Sequence, residues 1–390
     1  MVMDRKKALI TATVGGFLPR FELGNARILQ QLGYEVHYAS NFNIRIYEYD
    51  MEFIKQQGIC CHQIDFVRSP WHMIQNGRAY RQLKHLLGEN EYSLIHCHTP
   101  MAGVLTRLAA RKRRKGPDRV KVLYTAHGFH FYQGGPLSGW LLYYPVECRM
   151  SLYTDVLLTI NREDYLRAKK FCEQQQPWTG QQCLVYQTLG AGLEPDRFAV
   201  PDRKEAAAKR KEFGFCPENF LLVSVGELNR NKNHEVVIRA LAGLEDPNLR
   251  YLICGKGSEQ GRLEALIREL KLEGRVVLAG FREDITQILC SADCFIFPSI
   301  REGLPMSVLE AMAAGLPIIT SDNRGTREYI VDDSNGIVCR NTPEAYQAAI
   351  RRLVQSPALR RRMGKKARKT AQQYDAAHAR DVMREIYQCL

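Results

Sequence analysis

The sequence has no apolar run approaching the roughly 20 residues of a membrane span. Its opening, Met-Val-Met-Asp-Arg-Lys-Lys before a short apolar stretch, lacks the pattern of a secretory signal. A cytoplasmic protein is therefore expected. No Cys-x-x-Cys pair occurs, and the 12 cysteines are scattered singly apart from Cys60-Cys61, so the spacing indicates neither zinc nor a disulfide framework. Cys254, Cys294 and Cys339 fall inside apolar strand-like runs, where a free thiol serves as a small hydrophobe. The glycines after the first strand, Gly15-Gly16, are not spaced as G-x-G-x-x-G, so a dinucleotide fingerprint is missing. Nothing resembling a recognition helix, zinc finger or aromatic RNA-binding strand accompanies the basic charge, which argues against a nucleic-acid partner.

What is present is a globular composition, 45% hydrophobic and 25% charged over 390 residues, long enough for two domains with a core each. The net charge of +13 is concentrated. Residues 107 to 119 carry seven basic groups and one acid, and residues 351 to 369 carry nine basic groups and no acid. Charge runs are commonly solvated helix faces. The sharper reading of the first run is docking on an anionic membrane surface, at ~1 kcal/mol per well-placed basic residue.

Apolar runs of strand length alternate with helical patterns: 8–14, 34–40, 59–66, 93–98, 120–126, 155–160 and 183–188, then 220–226, 250–255, 275–280, 294–299, 316–321 and 336–339. Such alternation predicts parallel sheets covered on both faces. Gly and Pro interrupt it near 190–205, which predicts an α/β domain over 1–195, joined by a C-terminal helix at 374–390, and a second over 196–373. Open α/β sheets bind ligands beyond the carboxyl ends of their strands, so an interdomain cleft is the expected site.

The segment Glu302 to Glu310 (EGLPMSVLE) sets two carboxylates around a turn that opens a helix. Pro305 suits the first helical position. The free N–H groups of 303 to 307 would then point at an anion, and the carboxylates can accept from hydroxyl groups. Phosphate flanked by sugars fits that description: a sugar nucleotide. Arg230 and Lys232 lie at a strand-to-helix junction in VGELNRNKNH, where cations meet a diphosphate. GFREDI, with Arg282, ends a strand where backbone groups can read a base edge. In the first half, His127 follows the strand VKVLYTA, and loops at strand ends carry function. His96 and His98 would share one face of their strand with Cys97 on the other. Gly16 is either a plain turn or a place where phosphates approach the backbone.

These motifs resemble the retaining glycosyltransferases of family 4, which have the GT-B fold of two facing Rossmann-like domains. The likeness is strongest in VGELNRNKN, GFREDI and the E-x7-E segment, and the first half is similar to members that build capsular, exopolysaccharide or O-antigen repeat units. The resemblance implies a nucleotide-activated sugar, a UDP-sugar by preference, as donor and a lipid-linked glycan as acceptor. It implies that Glu302 contacts the donor sugar, that Glu310 holds the ribose hydroxyls, and that Gly303, Leu304, Met306 and Ser307 contact sugar and phosphates. Lys232 would bind the diphosphate, His127 would approach the transferred sugar, and Gly16 would lie beside the diphosphate. Where the family often has Arg after the glycine of VG, this chain has Glu227, and Arg230 is the substitute cation. Metal-dependent transferases of the other major fold use an Asp-x-Asp pair, which this sequence lacks, so no metal or other cofactor is expected. A place on the inner face of the cell membrane follows from the acceptor. The alternatives are a sugar-nucleotide 2-epimerase on a similar scaffold and, on charge alone, a basic nucleic-acid-binding protein.

Overall fold

The computed structural model describes residues 6–44, 46–116, 119–179, 183–194, 197–198 and 203–390. Residues 1–5 of the opening segment, and much of the expected join near 195, lie outside them. The chain forms two compact units, Met1–Ala191 with Ala377–Leu390, and Gly192–Ala376.

The first unit holds strands β1 (Lys7–Val14), β2 (Glu35–Asn41), β3 (Cys60–Gln63), β4 (Tyr92–His98), β5 (Lys121–Ala126), β6 (Val156–Thr159) and β7 (Leu184–Gln187). Their order is β3-β2-β1-β4-β5-β6-β7, with every pairing parallel. Between them run α1 (Leu23–Gln31), α2 (Met51–Gln56), α3 (Met73–Glu89), α4 (Pro100–Ala110), α5 (Leu137–Ser151) and α6 (Arg162–Thr179). In the second unit α7 (Arg203–Glu212) leads into β8 (Phe220–Val225), α8 (His234–Ala242), β9 (Leu249–Cys254), α9 (Gln260–Glu269), β10 (Val276–Gly280) and α10 (Ile285–Cys290). It continues with β11 (Cys294–Phe297), α11 (Met306–Ala313), β12 (Ile318–Ser321), β13 (Gly336–Cys339), α12 (Pro343–Gln355) and α13 (Pro357–Ala371). Its sheet order is β10-β9-β8-β11-β12-β13. The last helix, α14 (Ala376–Gln388), returns to the first unit.

Each of the thirteen runs becomes a strand; the inner ones read as continuous apolar runs because a parallel strand buried on both faces needs no polar alternation, while the edge strands β3 and β7 are largely exposed or half-buried. In β1, seven of eight residues are buried. Two cores cover the first sheet, one around Leu9, Ile95 and Phe131 and one around Ile10, Tyr38 and Leu158; α14 adds Met383, Ile386 and Tyr387 to the latter. The second unit packs around Leu222, Tyr251 and Ile350.

The basic run 107–119 divides on folding. Arg107 is fully buried in α4, donating to Glu147 of α5 at 3.0 Å, with its guanidinium 3.8 Å above the ring of Tyr124. Arg114 is held by Asp155 at 2.9 Å and by the carbonyl of Leu152. Two of the seven cations are therefore internal and unavailable to any partner surface, which leaves Arg111, Lys112, Arg113 and Lys115 exposed and Arg119 half-buried.

Candidate active site

In the second unit, the loops after β8 and β11 are sewn together. The Asn231 side chain donates to the carbonyl of Arg301 at 2.9 Å, and the N–H of Ile300 donates to the carbonyl of Asn231 at 2.8 Å. This brings Lys232 Nζ to 2.7 Å from Glu302 Oε1, with the Ser299 hydroxyl donating to the same oxygen. The ammonium also lies 4.8 Å above the ring of Phe297. Side-chain exposures of 18% and 14% keep the ion pair accessible without leaving it fully hydrated.

The Glu302 loop is clamped from the far side. Arg324 donates to the carbonyl of Glu302 at 3.1 Å and the Tyr329 hydroxyl to that of Pro305 at 3.2 Å. A Cβ on Gly325 would come within 2.9 Å of Glu302, Gly303 and Pro305, so only glycine lets the two loops meet. The helix begins one residue later than expected. Pro305 is extended (ψ 106°) and caps α11, which opens with Met306; its carbonyl, fixed by Tyr329, accepts from the N–H of Val308 at 3.2 Å. No side chain caps this helix start, so the Met306 and Ser307 N–H groups mark an anion-seeking end. Glu310 falls in the second turn, half-buried, as the spacing predicts.

Other expected donor residues differ in setting. Arg230 is 89% exposed, with one long contact of 3.7 Å to Glu259. Arg282 donates to Asp284 at 2.6 Å and to Glu212 at 2.6 Å, and Lys209 joins the same network through Asp284. These partners hold Asp284 below the usual carboxylate range, Arg282 first. Arg282 thus ties α10 to α7, and its charge is already matched.

In the first unit, Gly15 and Gly16 are filled by the protein itself. A Cβ on Gly16 would meet the carbonyl of Tyr47 at 2.7 Å, and one on Gly15 the hydroxyl of Tyr49 at 2.7 Å. The chain then makes a π-helical turn, Leu18–Glu22, before α1, and the turn brings a carboxylate that sequence reasoning missed. Glu22, 4% exposed, places Oε1 3.5 Å from His98 Nδ1 and 3.8 Å from His127 Nε2. The two imidazoles meet at 3.2 Å. Burial pushes Glu22 up to about 8, against the donated hydrogen bond from Asn25. Burial also lowers His127 to about 4 and His98 well below the ordinary histidine value. At neutral pH this cluster carries protons but little charge. His98 Nε2 is buried with no partner among the described residues.

His96 does share its face with His98, the rings 4.1 Å apart, while Cys97 is buried on the other face. Both its nitrogens are spoken for at 2.7 Å, by Tyr387 of α14 and Thr125, and burial holds its pKa near 3. It anchors the last helix to the sheet. Donor atoms of Glu22, His96 and His98 lie within 4.8 Å of one another, and a metal there would have to displace one of the two hydroxyls from His96. Cys254, Cys294 and Cys339 are buried free thiols as expected, whereas Cys60, Cys216 and Cys389 are exposed.

Comparison with known proteins adds a second line of observation. Residues 205–370 match the family model described as glycosyl transferases group 1, and residues 16–161 match the glycosyl transferase 4-like model. EpsD of Bacillus subtilis (strain 168), a glycosyltransferase by name, is 41% identical over 385 residues, 98% of this chain and 96% of that protein. The UDP-Gal:alpha-D-GlcNAc-diphosphoundecaprenol alpha-1,3-galactosyltransferase of Escherichia coli is 28% identical over 271 residues, covering 68% of this chain and 67% of that one. Among solved structures, Anabaena HepE in complex with UDP and glucose has a TM-score of 0.77 at 18% identity, covering 99% of this chain and 100% of that chain. WaaG, a glycosyltransferase involved in lipopolysaccharide biosynthesis, has a TM-score of 0.74 at 20% identity, covering 97% and 99%.

Proposed function

The chain belongs to the group 1, family 4-like glycosyltransferases of the GT-B fold class, and from that premise we propose a retaining, metal-independent transfer of a sugar from a UDP-sugar to a lipid-linked glycan in polysaccharide biosynthesis. The observation that carries this reading is the Lys232–Glu302 pair beside the uncapped start of α11. A donor diphosphate offers Lys232 a stronger anion than Glu302. Once Lys232 swings to it, Glu302 is released to accept from sugar hydroxyls. Glu310 takes the ribose hydroxyls, and the backbone of Gly303, Leu304, Met306 and Ser307 takes sugar and phosphate oxygens. Arg230 is free to approach from the rim, whereas Arg282 serves through its backbone and by holding α10.

In the transfer, the bond between the anomeric carbon and the diphosphate oxygen breaks while the acceptor oxygen bonds to that carbon from the same face. The acceptor proton passes to the departing phosphate. Negative charge grows on the diphosphate, where Lys232 and the helix start stabilise it; preorganised donors of this kind commonly supply about 3–4 kcal/mol each. Positive charge grows on the sugar ring. His127, held neutral by burial, can hydrogen-bond a sugar hydroxyl without adding a repelling cation. With Lys232 and the start of α11 to stabilise the leaving group and no Asp-x-Asp pair in the chain, the proposed charge development needs no metal.

The acceptor assignment rests on the Escherichia coli relative, whose name gives a diphosphoundecaprenol-linked sugar. No helix among the described residues is long and apolar enough to cross a membrane; it is the lipid-linked acceptor that leads us to place the enzyme peripherally on the inner face, approached through the exposed cations Arg111, Lys112, Arg113 and Lys115. The test is incubation of purified protein with a UDP-sugar panel and polyprenyl-diphosphate sugars, with NMR of the product. The expected result is transfer with the donor's anomeric configuration kept, and loss of transfer in a folded Glu302→Ala variant. Conversion of donor without acceptor would instead identify an epimerase, and an inverted product would overturn the retaining mechanism.

A further inference from the structure

A second constellation of ligand-type side chains lies at the amino ends of β2 and β3, opposite the strand ends that carry His98 and His127. Parallel pairing sets Cys60 beside His37. Glu35 and His62 follow the same face by the period-two rule. One donor atom from each of His37, Cys60 and His62 lies within 4.8 Å of the others. Cys61 points the opposite way, packing with the core around Ile10 and Tyr38.

The hydrogen bonding here is one acceptor short of consistent. Glu35 Oε1 sits 2.9 Å from His37 Nε2, so a carboxylate there fixes the ring proton on Nε2 and leaves Nδ1 as a lone pair. Two groups crowd that single lone pair: the Tyr92 hydroxyl at 2.8 Å and His62 Nε2 at 2.9 Å. One acceptor cannot make good hydrogen bonds to both. A carboxylate orienting the far nitrogen of a histidine is the usual second layer of a zinc site.

We propose that His37 Nδ1, from which the ion displaces the Tyr92 hydroxyl, His62 Nε2 and the Cys60 thiolate bind one zinc-class divalent cation, with Glu35 orienting His37 and a water in the fourth position. Two imidazoles and a thiolate are a borderline-soft set that selects this class over magnesium or calcium. Cys60 gives up its proton to solvent on binding. The ion pins β3, the edge strand, to β2. Such a site is separate from the transfer chemistry and leaves the metal-independent mechanism untouched.

The experiment uses the full chain, reduced with a non-chelating phosphine, titrated with Zn²⁺ against a chromophoric chelator and with Co²⁺ by absorption spectroscopy. One ion per chain is expected, with the d–d bands of tetrahedral Co²⁺ and a thiolate charge-transfer band. Cys60→Ser should remove the charge-transfer band. His62→Ala, which removes a ligand, should weaken Zn²⁺ affinity more than Glu35→Gln, which should cost about 10-fold, in the range seen for site-orienting partners. Cys60 is exposed and His62 half-buried, so both variants should melt like the zinc-free parent, and zinc should raise the melting temperature of the parent alone. Absence of tetrahedral bands, or Zn²⁺ binding unchanged by Cys60→Ser and His62→Ala, would overturn the proposal. So would binding lost in His98→Ala with Cys60→Ser unaffected, since the ion would then sit at the Glu22 cluster.

Discussion

The Lys232–Glu302 pair and the Glu22–His98–His127 cluster occupy comparable places on two similar sheets, the loops beyond strand carboxyl ends, yet they handle charge in opposite ways. The second unit keeps an ion pair accessible beside a helix start. The first unit buries a carboxyl group until its pKa nears 8 and two imidazoles until neither is readily protonated. A reaction that builds an anion on the leaving group and a cation on the sugar calls for such a division. Fixed positive charge stabilises the first, and the second is best left facing neutral hydrogen-bonding groups. The same residue types therefore carry different work because burial, not identity, decides their charge.

The most direct way to break this comparison is Lys232→Ala. It should lower kcat/KM about 10²–10³-fold, the usual cost of losing one preorganised donor to developing charge. The loss should fall largely on kcat, measured in a steady-state transfer assay. A double-mutant cycle with Glu302→Gln should be clearly non-additive, because the two side chains touch at 2.7 Å. A loss under tenfold for Lys232→Ala would remove the charged half of the contrast.

The neutral half is tested next by His127→Ala, expected to lower kcat about 10²-fold, the low end of what a positioned polar group supplies. With His127 near 4, the pH–rate profile between 6 and 8 should show no limb from it. A limb near 6.5 would mean an imidazolium acts there, contradicting the contrast.

Glu22 sharpens the point through stability. Its folded pKa of about 8 stands above the ordinary glutamate value of about 4.5, so its contribution is present below about 4.5 and is lost as pH rises through about 8. Replacing it by Gln removes that loss. The melting temperature of Glu22→Gln should exceed that of the parent by a margin that widens from pH 5 to pH 8, about 2–4 °C for each kcal/mol in domains of this size. Asn25, His98 and His127 face the group in both proteins. A constant margin across that range would show that Glu22 is ionised in the folded state.

How far the sequence reveals these two regions follows from the kind of signal each sends. All thirteen strands are legible, the inner ones because parallel strands buried on both faces are written as continuous apolar runs, the exposed edge strands β3 and β7 because they continue the alternation of strand-length runs with helical patterns. Lys232 and Glu302 are legible because each follows such a run and precedes a helix. Their direct pairing is not, since it depends on Asn231 reaching the carbonyl of Arg301. Glu22 is invisible for a different reason: it is one carboxylate in LPRFELG, and only a π-helical turn aims it inward. The meeting of His98 and His127 could have been read, because both end adjacent parallel strands, β4 and β5. The sequence leaves Gly16 open to a plain turn or to room for a phosphate, and Tyr47 of the same unit takes the space a Cβ there would need. Arg107 sits in a basic run that sequence alone spreads evenly over a surface, but Glu147, 40 positions on, draws it inside. Removing Arg107 would strand that carboxylate, at a cost of about 3–5 kcal/mol.

The smallest expected effect decides how many cations the charged half contains. Glu227 occupies the place where the resemblance anticipates an arginine, and Arg230 is the nearest replacement in sequence. Its side chain is 89% exposed and reaches Glu259 only at 3.7 Å, while Glu259 is already held by Arg262 at 2.6 Å. Exposed pairs of this sort are worth about 0–1 kcal/mol, a factor of about five at most. Arg230→Ala should therefore leave the melting temperature and kcat unchanged and raise the donor KM by no more than about fivefold, with the effect fading at high salt. An effect on kcat approaching that of Lys232→Ala would make Arg230 the second diphosphate cation, drawn inward by the donor, and the charged site would then be built from two side chains on one loop rather than from Lys232 and a helix start.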